Sequence, residues 1–253
     1  MTNLKDEKGP FDIIGDVHGC FDELCELLKK LGHENHGKFH PEGRKLLFLG
    51  DLVDRGPKTP DVLRLVMGIV KEGKGFCVRG NHDDKLRRKL QGRDVKIAHG
   101  LDESLKQLDP GSQEFKEEII DFLDKLAYYY ELDDGKLVIA HAGIKEKDIG
   151  HDSPRVRAFC MYGETTGKLD ESGLPIRYPW ADEYSGLALI AYGHTPVGKI
   201  KWVNNTINID TGCVFGGKLT ALRYPEKTFV EVKSFKTYCL PLKPFEHDYK
   251  SEF

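Results

Sequence analysis

The sequence lacks a long hydrophobic run, an excess of one charge and paired cysteine motifs. No window approaches the ~18 apolar residues that cross a bilayer, and residues 1–8 are polar, so neither a membrane span nor a signal peptide is expected. Lysine plus arginine is 38 and aspartate plus glutamate is 41, a net charge of −3, which excludes a uniformly basic nucleic-acid-binding surface but not a local basic patch. The six cysteines form no CxxC pair, so we expect free thiols in a cytoplasmic protein.

The 253 residues are 39% hydrophobic and 31% charged, a composition that can bury a core and is not that of a disordered chain. We expect a single domain over residues 1–253, with a core at about 11–232. Residues 1–9 and about 239–253 are expected to form a tail or linker.

A strand, a polar loop and a helix alternate three times in the first 90 residues. Apolar runs at 11–14, 46–49 and 76–78 are each followed by a glycine-containing polar segment and then by a helical pattern. This alternation predicts an α/β layered sheet. Later segments predict a helix at 115–127, a long ordered loop at 160–185, and strands at 128–132, 137–140, 187–192, 206–209, 219–222 and 229–232.

Five short polar segments lie at the ends of predicted strands, at 15–19, 50–56, 80–83, 141–143 and 193–195. Glycines in them allow sharp turns and a close approach of the backbone to an ion or phosphate. Because ligands of α/β sheets bind beyond the carboxyl ends of strands, we expect these segments to converge on one site.

The side chains of these segments supply oxygen and nitrogen donors without a thiolate. Such a set suits Mn²⁺, Fe or Zn²⁺ better than Ca²⁺ or Mg²⁺ alone. Six ligands exceed the needs of one tetrahedral ion, so two metals that share a carboxylate are predicted. The candidate ligands are Asp16, His18, Asp51, Asn81, His141 and His194.

In this order, the five segments resemble the calcineurin-like metallophosphoesterases, and the resemblance covers about residues 11–232. Four further segments are similar to the phosphatase module of bacterial polynucleotide kinase-phosphatase, and they are residues 9–15, 162–167, 177–180 and 208–217. They also resemble stand-alone bacterial relatives, classed as dinucleoside-tetraphosphate hydrolases or small protein phosphatases. The short segment between Asp16 and Asp51 is closer to the stand-alone branch. The resemblance implies an α/β sandwich of two mixed sheets flanked by helices.

The resemblance also implies a role for each residue. Asp16 and His18 would bind the first metal, Asp51 would bridge both, and the second would be completed by Asn81, His141 and His194. Two divalent transition metals are expected, with Mn²⁺ as first choice and Ni²⁺, Fe or Zn²⁺ as alternatives.

Three further residues carry catalytic roles in this interpretation. Arg55 would hold the phosphate oxygens. His82 would protonate the leaving oxygen or donate to the phosphoryl group. Asp54 would orient His82 and favour its protonated form.

Other features have two interpretations each. Asp83 either caps the next helix or supports the site, Asp210 either forms a turn or supports a metal ligand, and Cys20 and Cys213 are expected to pack. The basic run 85–96 is either a track for a polyphosphate or nucleic-acid backbone or a solvated helix face. Tyr178, Trp180 and Tyr184 either stack on a base or pack the loop down.

The expected reaction is removal of a 2′- or 3′-terminal phosphate from RNA or DNA in end repair. The alternatives are symmetrical hydrolysis of dinucleoside tetraphosphates, dephosphorylation of Ser, Thr or Tyr in proteins, and, below these, a non-catalytic metal-binding scaffold. The expected substrate is thus a phosphorylated polynucleotide end or a dinucleoside polyphosphate. No GxxxxGK[ST] motif is present, so kinase and ligase modules would have to lie elsewhere in a larger protein.

Overall fold

The computed structural model describes residues 3–171 and 173–242. Six α-helices occur in these ranges, and their bounds are Phe21–Leu31 (α1), Thr59–Lys71 (α2), Asn81–Leu90 (α3), Leu101–Leu108 (α4), Gln113–Lys125 (α5) and Pro154–Tyr162 (α6). The strands of the same ranges are Asn3–Leu4 (β1), Phe11–Ile14 (β2), Lys45–Phe48 (β3), Gly75–Cys77 (β4), Tyr129–Leu132 (β5), Leu137–Ala140 (β6), Thr165–Leu169 (β7), Pro175–Arg177 (β8), Leu189–Tyr192 (β9), Trp202–Val203 (β10), Thr206–Asn208 (β11), Lys218–Tyr224 (β12) and Thr228–Lys233 (β13).

The strands form two mixed sheets and a separate ribbon. The six-stranded sheet has the order β1-β5-β6-β9-β11-β10, and the five-stranded sheet has the order β13-β12-β2-β3-β4. Within them, β2, β3 and β4 run parallel, as do β6, β9 and β11. The antiparallel ribbon consists of β7 and β8, whose residues are all exposed.

The central strands are apolar on both faces because both faces are covered. In β2, Ile13 faces the core between the two sheets, whereas Ile14 faces the core beneath the helices. Leu47 and Leu46 of β3 alternate in the same way. On the outer side of the six-stranded sheet, α6 packs Phe159 into a third apolar cluster. The predicted sandwich of two mixed sheets flanked by helices is confirmed, and strands buried on both faces are typical of it.

Two segments differ from the sequence predictions. Residues 160–185, expected as one loop, contain the end of α6 and the ribbon β7–β8. The signals for α6 are Pro154 in its first turn and the Ser153 hydroxyl, which accepts a hydrogen bond from Val156 N. Residues 3 and 4, expected in a tail, pair in parallel with β5, and the tail expected from about 239 lies outside the described residues from 243 onward.

No helix within the described ranges is long and apolar enough to span a bilayer. The six cysteines all lie in those ranges and are free, as the sequence predicts. Cys20 and Cys213 are both buried in the core beneath the helices, so they pack as expected.

Candidate metal centre

The six predicted ligands converge at one end of the sandwich, although they span 16 to 194 in sequence. Asp16 and His18 follow β2, Asp51 follows β3, and Asn81 begins the helix after β4. His141 and His194 come from the other sheet, directly after β6 and two residues after β9. Both sheets therefore contribute donors to the same place.

The donor atoms lie as close together as the ligands of single ions do. Nε2 of His141 is 2.9 Å from Asn81 Oδ1, 3.0 Å from His194 Nδ1 and 3.4 Å from Asp51 Oδ2. On the other side, Asp51 Oδ2 is 3.6 Å from His18 Nε2. Ligands about 2.1 Å from one ion are themselves roughly 3 Å apart. Asp51 thus belongs to two donor groups, as a bridging carboxylate must.

Backbone groups fix the orientation of two candidate ligands, His18 and His141, and of Asp51. His18 Nδ1 donates to the carbonyl of Val53 at 2.7 Å, and His141 Nδ1 donates to that of Leu49 at 2.9 Å. Each ring then presents the Nε2 lone pair to the cluster, which is the tautomer that a metal ligand needs. Asp51 Oδ1 accepts the His82 backbone N–H at 2.9 Å, leaving Oδ2 to face the histidines.

Two buried polar atoms of the candidate ligands have no partner. Asp16 Oδ1 and His194 Nε2 are buried without a hydrogen bond in the described structure. Burial, together with the nearby charges of Asp210 and Asp51, raises the pKa of Asp16, and burial raises the pKa of Asp51 to about 7. A divalent cation bound by Asp16 would satisfy its free oxygen and offset the repulsion between the carboxylates. The residues present therefore fit a metal centre.

The backbone is strained at several of these residues. Five of them have φ between 46° and 73°, a range that favours glycine, and they are His18, Asp51, Asp54, Arg55 and His194. Such strain concentrates at functional sites, where surrounding structure holds the chain in place. Two glycines permit the packing, because a Cβ on Gly56 would lie 1.9 Å from His18 O and one on Gly193 would lie 2.1 Å from Asp16 Oδ1.

A buried hydrogen-bonded chain leads away from His82. Nδ1 of His82 is 2.6 Å from Asp54 Oδ2, and Asp54 Oδ1 accepts from the Ser104 hydroxyl at 2.7 Å. Ser104 also accepts the Asp54 backbone N–H at 2.9 Å. Ser104 lies on α4, 50 residues from Asp54, and no sequence pattern singled it out.

Arg55 lies between His18, in the first donor group, and His82. Its guanidinium donates to Nε2 of His18 at 2.6 Å and to Nε2 of His82 at 2.9 Å, and it stands over the Phe215 ring at 5.2 Å. Burial, followed by the Arg55 charge, lowers the pKa of His82. The expectation that Asp54 favours the protonated form of His82 stays a prediction: the Asp54 carboxylate lies where it can do so, whereas burial and the Arg55 charge act against it.

Two further carboxylates support the loops of the site. Asp83 caps α3 through Gly80 N at 3.0 Å and also accepts from the backbone N–H groups of Asp51 and Leu52 at 2.8 and 2.9 Å. Both interpretations of Asp83 therefore hold. Asp210 accepts from Gly212 N at 3.0 Å, and its charge acts on Asp16.

Part of the basic run 85–96 forms intramolecular contacts that hold α3 in place. Arg87 pairs with Asp84 and Asp124, at 2.8 and 2.6 Å. Lys85 donates to the carbonyl of Ala98 at 2.6 Å. Two of its six basic side chains thus hold α3 in place rather than face a ligand.

Of the three aromatic residues considered for base stacking, two are packed inside the protein and one is partly accessible. Tyr184 is buried and donates to Ala188 O, so it packs the segment down. Trp180 is also buried, against Phe159 and Tyr192, at ring centroid distances of 6.0 and 5.0 Å. Tyr178 remains half-buried.

A model of the calcineurin-like phosphoesterases matches residues 9–214. The chain belongs to this family. As a calcineurin-like phosphoesterase, it is a metal-dependent hydrolase of phosphate esters, and the family uses a binuclear divalent metal site.

Curated relatives align with this phosphoesterase over nearly its whole length. A protein of Anoxybacillus flavithermus, named bis(5′-nucleosyl)-tetraphosphatase PrpE [asymmetrical], is 48% identical over 243 residues, which cover 93% of this chain and 99% of the relative. The protein of the same name from Bacillus subtilis is 47% identical over 234 residues, covering 90% and 96%. These relatives do not support the expected likeness to polynucleotide kinase-phosphatase, nor the kinase and ligase modules.

Solved structures share the fold at lower identity. One described as a putative diadenosine tetraphosphatase is 21% identical with a TM-score of 0.66, covering 92% of this chain and 97% of that one. A protein serine/threonine phosphatase from Saccharomyces cerevisiae is 17% identical with a TM-score of 0.63, covering 92% and 83%. At this identity the two structures support the fold alone.

Proposed function

We propose that this phosphoesterase hydrolyses dinucleoside tetraphosphates asymmetrically, into a nucleoside monophosphate and a nucleoside triphosphate. The observation that carries the chemistry is the convergence of six metal donors beside Arg55 and His82. The substrate is supported by relatives that are 45–49% identical and share one name. That name specifies asymmetrical cleavage, in place of the symmetrical reaction considered from the sequence.

The two metals would be held by the donor groups that share Asp51. Asp16 and His18 would serve one ion, and Asn81, His141 and His194 the other. Two divalent ions bound there would supply polarisation of the phosphoryl group and a lowered pKa of a nearby water molecule. Mixed nitrogen and oxygen donors without a thiolate suit Mn²⁺, Fe, Ni²⁺ or Zn²⁺ better than Ca²⁺ or Mg²⁺ alone, and Mn²⁺ is the metal that we propose to test first.

Arg55 would bind the phosphate under attack. A guanidinium presents paired N–H groups that match two phosphate oxygens, and its charge offsets the charge that develops there. The position is suitable because the same N–H groups now lie within 3 Å of imidazole nitrogens on both sides. A phosphate in this place therefore contacts Arg55 between His18 and His82.

His82 would deliver a proton to the leaving oxygen. Its Nδ1 is committed to Asp54, so Nε2 is the atom that faces the reaction. Burial is the main cause that lowers the pKa of His82, and an anionic phosphate bound to Arg55 would offset the second cause, the Arg55 charge. Asp54 and Ser104 act as positioning residues in this proposal, because they touch His82 and not the substrate.

Competition between substrate classes tests this function. We expect kcat/KM with Mn²⁺ to be at least about tenfold higher for diadenosine tetraphosphate than for a 3′-phosphorylated oligonucleotide or a phosphoserine peptide. Chromatography of the products should show AMP and ATP in equal amounts. Preference for the oligonucleotide would restore the end-repair interpretation, and ADP as the product would indicate symmetrical cleavage.

A further inference from the structure

A cavity of about 190 Å³ adjoins the metal centre, and the proposed chemistry does not use it. Four aromatic rings line it, those of Tyr162, Tyr178, Trp180 and Tyr192, and its walls also include Arg177 and His194. His194 belongs both to this wall and to the cluster of metal donors. A group that is joined to the phosphorus at the metals can therefore reach the cavity within a few bonds.

The cavity is built on a rigid inner wall with a more exposed rim. Trp180 and Tyr192 pack against each other in the apolar cluster under α6, so their rings are fixed. At the rim, Arg177 donates to the backbone carbonyl of Tyr162, and Tyr178 N donates to Glu164 O at 2.9 Å. Tyr162 is 41% exposed and Tyr178 is half-buried, so both rings are accessible to a ligand.

The charge at the cavity favours an anion nearby. Arg177 has no carboxylate within ion-pair distance among residues 3–171 and 173–242, and its charge acts on His141 and His194. Glu164, the acidic residue of the wall, is already paired with Lys145 at 2.5 Å. The aromatic rings of the cavity are suited to a base, and the Arg177 guanidinium, which has no ion-pair partner in the described part of the chain, is suited to a phosphate. Together they match a nucleotide.

The size of the cavity restricts what enters it. Pockets that enclose a whole drug-sized ligand measure roughly 300–1,000 Å³, so about 190 Å³ admits only one part of a large substrate. A single flat ring system stacked on tyrosine meets this limit. An extended peptide or polynucleotide strand would leave most of its length outside.

We propose that this cavity holds the nucleobase nearest the phosphorus under attack, so that this phosphorus is Pα of the dinucleoside tetraphosphate. The inference rests on the proposed function. A water oxygen forms a bond to Pα, and the bond from Pα to the oxygen that bridges to Pβ breaks. That oxygen leaves with the electron pair as part of the nucleoside triphosphate and takes a proton from His82, while the water releases one proton. The products are a nucleoside monophosphate and a nucleoside triphosphate.

Hydrolysis in ¹⁸O-enriched water tests which phosphorus is attacked. We expect mass spectrometry to find the label from diadenosine tetraphosphate in AMP and not in ATP. Label in ATP would place the attack at Pβ and overturn this inference, while leaving asymmetrical hydrolysis intact. Absence of turnover by the wild-type chain would contradict the proposed function instead.

Ring-removing substitutions test the position of the base. We expect Tyr162→Ala and Tyr178→Ala each to lower the ratio of kcat/KM for diadenosine tetraphosphate to that for p-nitrophenyl phosphate by about 5- to 150-fold, because each ring stacks on a base. The Tyr→Phe variants should retain the wild-type ratio. Trp202→Ala is the matched control, since Trp202 is an exposed aromatic residue outside the cavity lining. Equal losses on both substrates would overturn the inference.

A binding measurement avoids turnover altogether. Trp180 lines the cavity and Trp202 is the only other tryptophan in the chain, so Trp202→Phe leaves one fluorescent reporter. Titration of the metal-free variant with AMP should change Trp180 fluorescence, whereas ribose 5-phosphate should bind more weakly. Equal affinity for the two ligands would place the base outside the cavity.

Discussion

Ser104→Ala should weaken the support of the Asp54–His82 pair without touching any donor of the metal centre. The hydroxyl donates to Asp54 Oδ1 at 2.7 Å and accepts from Asp54 N at 2.9 Å, and both residues are 0% exposed. Loss of a hydrogen bond to a charged group costs ~1.5–3 kcal/mol, and an unsatisfied buried N–H adds a penalty of similar size. Because such penalties overlap, we expect the free energy of unfolding to fall by about 3 kcal/mol.

The effect on catalysis depends on the leaving group. A displaced Asp54 no longer holds His82 in line, so esters with a poor leaving group lose the benefit of protonation. General acid catalysis contributes ~10²–10⁴-fold, and we expect Ser104→Ala to forfeit about tenfold of it for an alkyl phosphate. p-Nitrophenyl phosphate should slow much less, since its leaving group needs little protonation.

Urea unfolding and steady-state kinetics with both esters provide the measurement. Ser112→Ala is the matched control, because the Ser112 hydroxyl accepts from Phe115 N at 3.2 Å at the start of α5 and serves no residue of the site. Its loss should cost about 1 kcal/mol of stability and leave both rates unchanged. If Ser104→Ala slows the two esters by the same factor, the hydroxyl has only a structural role and the reasoning fails.

Three further predictions concern the metals, the turns and an ion pair. Asp51→Ala should lose bound Mn²⁺ and activity together, measured by elemental analysis and turnover, and retained metal with full turnover would contradict the bridging role. Gly56→Ala should destabilise the site loop, because its Cβ would lie 1.9 Å from His18 O, whereas Gly68→Ala in α2, whose Cβ meets only Lys38 at 3.8 Å, should raise the free energy of unfolding by about 0.5–1 kcal/mol. The pKa of Glu226 is lowered to about 2, first by its hydrogen bond with Arg44, so its contribution to stability is present above pH 4.5 and is lost as the pH falls towards 2. The difference in thermal unfolding between wild type and Glu226→Gln should therefore be constant from pH 7 to 5 and shrink below that; growth on acidification would refute the assignment.

The strand ends of the sandwich were predictable because each is a buried apolar run followed by a glycine turn. β2 and β3 lie within a residue of the predicted 11–14 and 46–49, and their loops carry Asp16 and Asp51. Local signals also sufficed for α5, predicted at 115–127 and found at Gln113–Lys125. Elements with periodic burial were therefore accessible from sequence.

Elements without a buried face could not be predicted from the sequence. The ribbon β7–β8 is exposed on both faces, so it shows no alternation of apolar and polar residues, and only its long-range pairing defines it. The contact of Ser104 with Asp54 joins residues 50 positions apart through the docking of α4, which no local pattern encodes. The low pKa of His82 likewise depends on burial and on the approach of Arg55, both of which are tertiary properties.

The origin of the candidate metal donors in two different sheets gives the proposed metal binding a mechanical consequence. His141 and His194 extend from one sheet and Asp16 and Asp51 from the other, so ions bound between them would tie the layers of the sandwich together. A ligand that binds only the folded chain adds RT ln(1 + [L]/Kd) to the free energy of unfolding. The melting temperature should thus rise with the concentration of free metal. Metal depletion would make the protein more susceptible to proteolysis and would also abolish its activity. Abundance and activity would then respond to the same nutrient.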